Sequence, residues 1–361
     1  MEGSVLTTKT WLLLIGAVLL ISAGVLNFRQ RARHETPAWD GIEWADTEQG
    51  IVANKIERGS AGDKAWLLEG DRLIAISFVE EEKGKPIVRA RDVQMYLEVA
   101  GPGGKLHYLM ERPSFPEATR FYYADLTELG TIHRWTPRTI YINLIGVVYL
   151  LVGFFVLFKQ GGRAPFVLHF ATLGLTAFVF HFFTPVGHYR DLDLAIAFLK
   201  NTAFILFAPL FLHFCLLYPT KQQLFPTKRW KAIALYVPAL FLVLIGVFIF
   251  LRDELAKVLP PLKTIPGASE SFIGTFYKVS FFHFLLAIVA SAVLLVRTFV
   301  SSRSTVVRQQ VKWVVWGTLL AVTPFTLLYG IGFLLGAQTD RWLTDAAVLP
   351  LVLIPFAFGY S

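Results

Sequence analysis

A chain of 361 residues of which 55% are hydrophobic and only 17% charged lies well under the ~25% charge of soluble domains, which excludes an ordinary soluble protein of this length. The net charge of +8 is unevenly spread: residues 35–120 hold 16 acidic and 11 basic side chains, a net of −5, so the rest of the chain carries +13. That excess sits mostly in short loops between apolar blocks, a pattern that membrane loops produce without a nucleic-acid partner, and the single Cys215 excludes an internal disulfide.

A membrane span needs roughly 20 apolar residues at ~1.5 Å of rise each. The first such run is Trp11 to Phe28, with Lys9 before it and Arg29, Arg31 and Arg33 after it. It exceeds the ~7–15 apolar residues of a cleaved signal core, so a retained anchor is expected. Seven further runs follow a polar segment: 139–158, 164–183, 194–218, 232–251, 279–300, 313–336 and 346–361. The composition therefore predicts an α-helical integral membrane protein with about eight transmembrane helices, one and then seven. The last run stops while still apolar, about four residues short of a full crossing, so a continuation is expected.

Loop charges predict the orientation. The loops 159–163, 219–231 and 297–312 contain ten Lys or Arg and no acid, whereas 184–193, 252–278 and 337–345 contain six basic and seven acidic residues. By the positive-inside rule the first set is cytoplasmic, which places residues 29–138 outside and the chain's end inside. Arg29, Arg31 and Arg33 then fall on the outer side, against the rule, which weakens beside a long translocated segment. Pro209, Pro238, Pro324, Pro350 and Pro355 lie within the runs, as ordinary membrane-helix prolines or as hinges.

Between the first two runs the pattern turns to short β-type alternation. Gly50 to Ile56, Arg72 to Ile76 and Lys105 to Met110 read as strands, and Ala90 to Val99 as a short helix presenting Val93, Tyr96 and Leu97 on one face. The expected division is an anchor over 1–28, a small α/β domain over 35–120, a connector over 121–138 and a seven-helix bundle over 139–361.

The stretch from Ile56 to Ile76, containing Arg58-Gly59-Ser60-Ala61 and Glu69-Gly70-Asp71-Arg72-Leu73-Ile74, resembles the core of a PDZ domain. It departs from that family at Gly62-Asp63, which interrupts the usual Pro-Ala segment, and at Trp66, where the family usually has glycine. The resemblance implies a groove that adds an extended C-terminal peptide as a strand. Gly41 and Ile42 would then hold the peptide carboxylate, and Val93 and Leu97 would line the other wall. Asp40 and Glu43 flank that loop and oppose a terminal carboxylate. The bland alternative is a scaffold that positions the bundle or pairs two subunits.

No His-Glu-x-x-His and no Gly-x-Ser-x-Gly occurs, so neither a zinc protease nor a serine hydrolase of those types is expected, and no catalytic residue, metal or cofactor is assigned. Gly101-Pro102-Gly103-Gly104-Lys105 has Leu106 where a phosphate loop needs Ser or Thr, and reads as a hairpin turn. His34-Glu35-Thr36-Pro37 faintly matches a phospho-acceptor box but falls on the outer side of the predicted topology. Ionisable groups inside the runs are His169, His181, Lys200, His213 and His283. They read either as interfacial side chains or, for His181, Lys200 and His283, as a membrane pocket for an anionic or amphipathic ligand. A haem held between His169 and His213 is a remoter reading.

The segments His213-Phe214-Cys215-Leu216-Leu217-Tyr218-Pro219, Arg308 to Gly317 and Ile354 to Ser361 resemble multi-span sensor regions of bacterial histidine kinases. The order of anchor, outer PDZ-like domain and seven spans is similar to that of pheromone receptor kinases. The resemblance implies the sensory input of an inner-membrane sensor kinase, working as a homodimer in the bilayer and relaying a signal through its last helix to a cytoplasmic kinase. A membrane-anchored PDZ-type peptide-binding adaptor is the alternative.

Overall fold

The computed structural model describes residues 8–33, 38–78, 84–87, 90–131, 136–160, 165–186, 191–218, 229–264, 270–335 and 341–360. The His34–Pro37 match and most of the basic loop 219–231 lie outside these. The chain opens with helix α1 (Thr8–Arg33) and divides into two compact units, a β-rich one between α1 and residue 136 and a helical one that includes most of α1.

In the β-rich unit, β2 (Ile42–Thr47) and β3 (Gly50–Ile56) form a hairpin, followed by the short helix α2 (Ala61–Lys64) and β4 (Arg72–Phe78). Then come β5 (Lys85–Pro86), α3 (Ala90–Ala100), β6 (Leu106–Glu111) and β7 (Phe121–Leu126). The sheet runs in the order β2-β3-β4-β6-β7 with β5 on β4, and β1 (Ala38–Trp39) pairs separately with β8 (Gly130–Thr131). Strand alternation sends Ala53, Leu106, Tyr108, Met110 and Leu126 into a core that Val93, Tyr96 and Leu97 of α3 cover. Asp46 of β2 accepts from the Ala90 N–H at 2.6 Å, capping α3 with a carboxylate where the helix dipole favours one.

The three expected strands and the helix are present, and two long strands lie outside the expectation. β7 falls in the supposed connector: it pairs with β6 over all six residues, and β8 pairs with β1, so the unit runs to Thr131 and not to residue 120. Its alternation is legible afterwards, with Tyr122, Ala124 and Leu126 directed inward and Phe121 and Tyr123 exposed. β2 was obscured by Glu43 and Asp46, charges that an edge strand tolerates.

The helical unit continues with α4 (Pro137–Gln160), α5 (Pro165–Phe182), α6 (Asp191–Leu217), α7 (Arg229–Val258) and α8 (Glu270–Ser301), then α9 (Thr305–Pro324), α10 (Ile331–Leu335), α11 (Arg341–Val348) and α12 (Leu353–Tyr360). Among the described residues, seven helical stretches are long and apolar enough to cross a bilayer: those of α1, α4, α6, α7 and α8, the combined α9–α10, and the combined α11–α12. The protein is a helical membrane protein. The eighth expected span, α5, offers only Phe166–Phe182, about 26 Å of helix against the ~30 Å hydrocarbon core.

Helix α5 is nonetheless the best-embedded of the set. A Cβ on its Gly174 would stand 2.6 Å from the Tyr149 carbonyl oxygen, so only glycine lets α4 and α5 approach this closely. Asn27 of α1 is buried and exchanges two hydrogen bonds with the Thr184 backbone just beyond α5, at 2.9 and 3.0 Å, leaving no amide group unmatched in an apolar setting. Pro209 and Pro238 sit inside unbroken α6 and α7, whereas Pro324 is followed by a π-helical turn, Phe325–Gly330, and Pro350 lies in a 3-10 turn, Leu349–Val352. Proline removes one helical N–H and crowds the carbonyl four residues back, and a wider or tighter turn relieves both.

Candidate functional site

In the β-rich unit the loop before β2 is organised by its own carboxylate. Asp40 is fully buried and accepts from the Ile42 N–H at 3.0 Å, the Trp44 indole at 2.9 Å and the Tyr108 hydroxyl at 2.9 Å. Burial raises the Asp40 pKa, and these three donors oppose the rise. Burial beside Asp40 also raises the Tyr108 hydroxyl pKa. Gly41, at φ +84°, packs so closely on Ser60 that a Cβ would overlap that side chain at 1.9 Å. The Ile42 N–H expected to hold a peptide carboxylate is thus occupied by Asp40. Ile42, Val93 and Leu97 are brought together, but as interior residues 4%, 1% and 3% exposed. The groove residues read from the sequence form a packed wall, because Val93 and Leu97 serve the core of α3.

A second arrangement has no signal in sequence spacing. Asp71, 2% exposed, takes a two-pronged bond from Arg112, Nε to Oδ1 at 2.7 Å and Nη2 to Oδ2 at 2.6 Å, together with the Tyr122 hydroxyl at 2.6 Å and the Leu68 N–H at 2.8 Å. Arg112 Nη2 also donates to the Trp66 carbonyl at 2.9 Å. Burial alone would raise the Asp71 carboxyl, but the bonds from Arg112, Tyr122 and Leu68 and the Arg112 charge together hold it below its ordinary value. Arg112 and Tyr122 lie 41 and 51 residues from Asp71, too far for spacing to suggest the contact.

In the helical unit, His181 of α5 is buried, bonds the Ala177 carbonyl through Nδ1 at 2.8 Å and stacks on Tyr149 at 5.9 Å. Lys200 of α6 is half-buried and lies one turn before Phe204, whose ring packs 5.2 Å from that of Phe180, the residue next to His181, so two of the three expected pocket residues lie on adjoining stretches of α5 and α6. His283 lies on α8 along the face it shares with Phe276 and Ser280, and its Nδ1 makes no hydrogen bond to the protein. On that seam Gly246 of α7 stands against both the Asn201 amide nitrogen and the Phe276 ring. The Asn201 amide nitrogen and the fully buried Ser280 hydroxyl likewise make no bond to the protein. These uncharged polar groups join the ionisable side chains that stand out in the apolar runs.

His169 and His213 are in edge-to-face contact, ring centroids 4.5 Å apart, which leaves no gap for a planar macrocycle between them. Instead they link three helices: His169 Nε2 donates to the Leu210 carbonyl at 3.1 Å, and His213 Nδ1 meets the Tyr236 hydroxyl at 2.9 Å. A scan against protein-family models finds no match, and a search of curated proteins finds none either. Among the described residues no three His, Cys, Asp or Glu side chains gather in a metal-ligating group.

From the His181 region a continuous run of rings crosses the bundle. Phe180 packs on Phe204 and Phe284, Phe204 on Phe281, and Phe281 on Phe325, Tyr329 and Phe333. Phe325 and Tyr329 belong to the π-helical turn after Pro324. Beyond it, a Cβ on Gly317 of α9 would meet the Ala357 Cβ of α12 at 2.6 Å.

Proposed function

We propose that the chain is the sensory input of a membrane signalling receptor, of the kind found in bacterial sensor histidine kinases, and that its bundle passes a signal to α12. The observation that carries this reading is the aromatic run from Phe180 and Phe204 through Phe281 onto the π-helical turn 325–330. An irregular turn beside a proline has more than one workable hydrogen-bond pattern, and π-turns often mark functional sites. A ligand near His181, Lys200 or His283 that favours one packing of these rings would bias that turn, and with it α9 and α12. The bias can be no larger than the ligand's difference in affinity between the two arrangements. The protein works as a homodimer on this reading, and the β-rich unit is a PDZ-like scaffold. Burial of Val93 and Leu97 and the self-occupied Asp40 loop count against the alternative of a C-terminal-peptide adaptor.

The test joins the chain after Tyr360 to the cytoplasmic part of a histidine kinase in nanodiscs and measures autophosphorylation. Inserting one to four alanines at the junction should make activity rise and fall with the ~3.6-residue helical period. Phe281→Ala should flatten that oscillation by disconnecting the ring run from the turn. Activity indifferent to both changes sinks the proposal.

A further inference from the structure

We propose that the β-rich unit docks on the bilayer surface through an apolar patch formed by Trp66, Leu68 and Phe115. Trp66 sits immediately past α2, where its N–H bonds the Asp63 carbonyl at 3.0 Å and the Leu67 N–H bonds the Gly62 carbonyl at 3.2 Å. This pair is the Schellman ending, whose penultimate residue adopts left-handed backbone and is usually glycine. Here that residue is tryptophan at φ +61°, with its side chain 84% exposed. An indole held in a disfavoured conformation and turned to the outside contributes little to the fold, and such local strain is a pointer to function.

The patch is built on the Asp71–Arg112 clamp. Arg112 bonds the Trp66 carbonyl, lies 5.1 Å over the Phe115 ring, and pairs with Asp71, whose carboxylate takes the Leu68 N–H. Leu68 is 56% and Phe115 45% exposed, so three large apolar side chains are presented from two loops held by one guanidinium. Trp, Leu and Phe match the apolar side chains that enter the boundary between hydrocarbon and headgroups, while Arg112, mostly buried and paired with Asp71, holds them from beneath.

The bilayer is the occupant because the chain keeps it within reach. Only residues 34–37 and 132–136 separate the unit from α1 and α4, four and five residues that extend at most about 18 Å each. A surface tethered that closely meets the patch at high effective concentration, without a diffusing partner. The net charge of −6 over residues 38–131 leaves anionic headgroups unfavourable, so the docking is apolar in character.

The full chain in phosphatidylcholine proteoliposomes tests this, with Cys215→Ala removing the one native thiol. Nitroxide labels go on Leu68→Cys, on Phe115→Cys and, as an exposed reference, on Lys55→Cys. Collision with lipid-soluble oxygen relative to a water-soluble nickel chelate should be at least threefold higher at 68 and 115 than at 55, in 1 M salt as in 0.1 M. Trp66→Gly, which suits the backbone conformation, should bring position 68 to the level of 55 while hydrogen exchange in β4 and β6 stays as slow as before. Equal aqueous exposure at all three positions overturns the proposal, and so does a contrast that disappears in 1 M salt. Protection of 68 and 115 from both reagents also overturns it, since a protein surface would then cover the patch.

Discussion

Asp71 and Trp66 show how far single residues are set by contacts remote in sequence. Because bonds from Arg112, Tyr122 and Leu68 hold the Asp71 pKa below the ordinary 3.8, its contribution to stability is present above that pH and is lost as pH falls through the lowered native value. Asp40 has the opposite sign: its raised native pKa means that the cost of burying its charge is relieved as pH falls. Hydrogen exchange corrected for intrinsic rates should therefore show segments 66–72 and 112–122 loosening below pH 3.8, while 40–44 does not loosen with them. Asp71→Asn should loosen the same two segments at pH 7, at a cost of about 3 kcal/mol, because Arg112 is left without its charge partner. An unchanged exchange pattern in that variant would show the clamp to be energetically idle. At Trp66 the left-handed backbone costs a non-glycine residue ~1 kcal/mol, so Trp66→Gly should slow exchange in α2 and its neighbours by up to about fivefold, and faster exchange would mean that the indole does stabilise the fold.

Among the elements, the α9–α12 contact is the most sharply defined. With the Ala357 Cβ 2.6 Å from where a side chain on Gly317 would begin, Gly317→Leu cannot be absorbed by a flexible side chain and must push α12 away. A loss of at least 2 kcal/mol in detergent-solubilised stability is expected, read as a lowered unfolding midpoint, and Gly16→Leu, which has open space around it, is the matched control. Equal effects of the two substitutions would remove the contact's significance. Apolar run length located the helices, though α8 and α9 begin nine and eight residues ahead of their runs, and neither the π-helical turn after Pro324 nor the regular helix through Pro209 and Pro238 was legible in it. All three prolines delete one N–H, and whether the turn there stays regular or widens depends on what the neighbouring helices supply around it.

For the whole molecule, α5 sets the number of crossings. If α5 spans the bilayer, Gln160→Cys and Pro185→Cys should react with a membrane-impermeant maleimide from opposite sides of intact and inverted vesicles; reaction from one side would make α5 re-entrant and reverse every later span. Lys55→Cys and Arg303→Cys should also label from opposite sides, with Lys55 outside, if the positive-inside reading holds.

Run length, loop charge and strand alternation, all properties of consecutive residues, were enough to identify a helical membrane protein, its apolar helices, and strands β3, β4 and β6 with helix α3. The histidines and Lys200 were also legible, because an ionisable group inside an apolar run stands out by type alone. Tertiary structure decided the rest. It made Val93 and Leu97 core where a groove was expected, joined Asp71 to Arg112 and Tyr122, added β7 to the sheet, and put His169 against His213. Each of these depends on which distant segments pack together, and one sequence carries that information only through the summed energy of the whole fold.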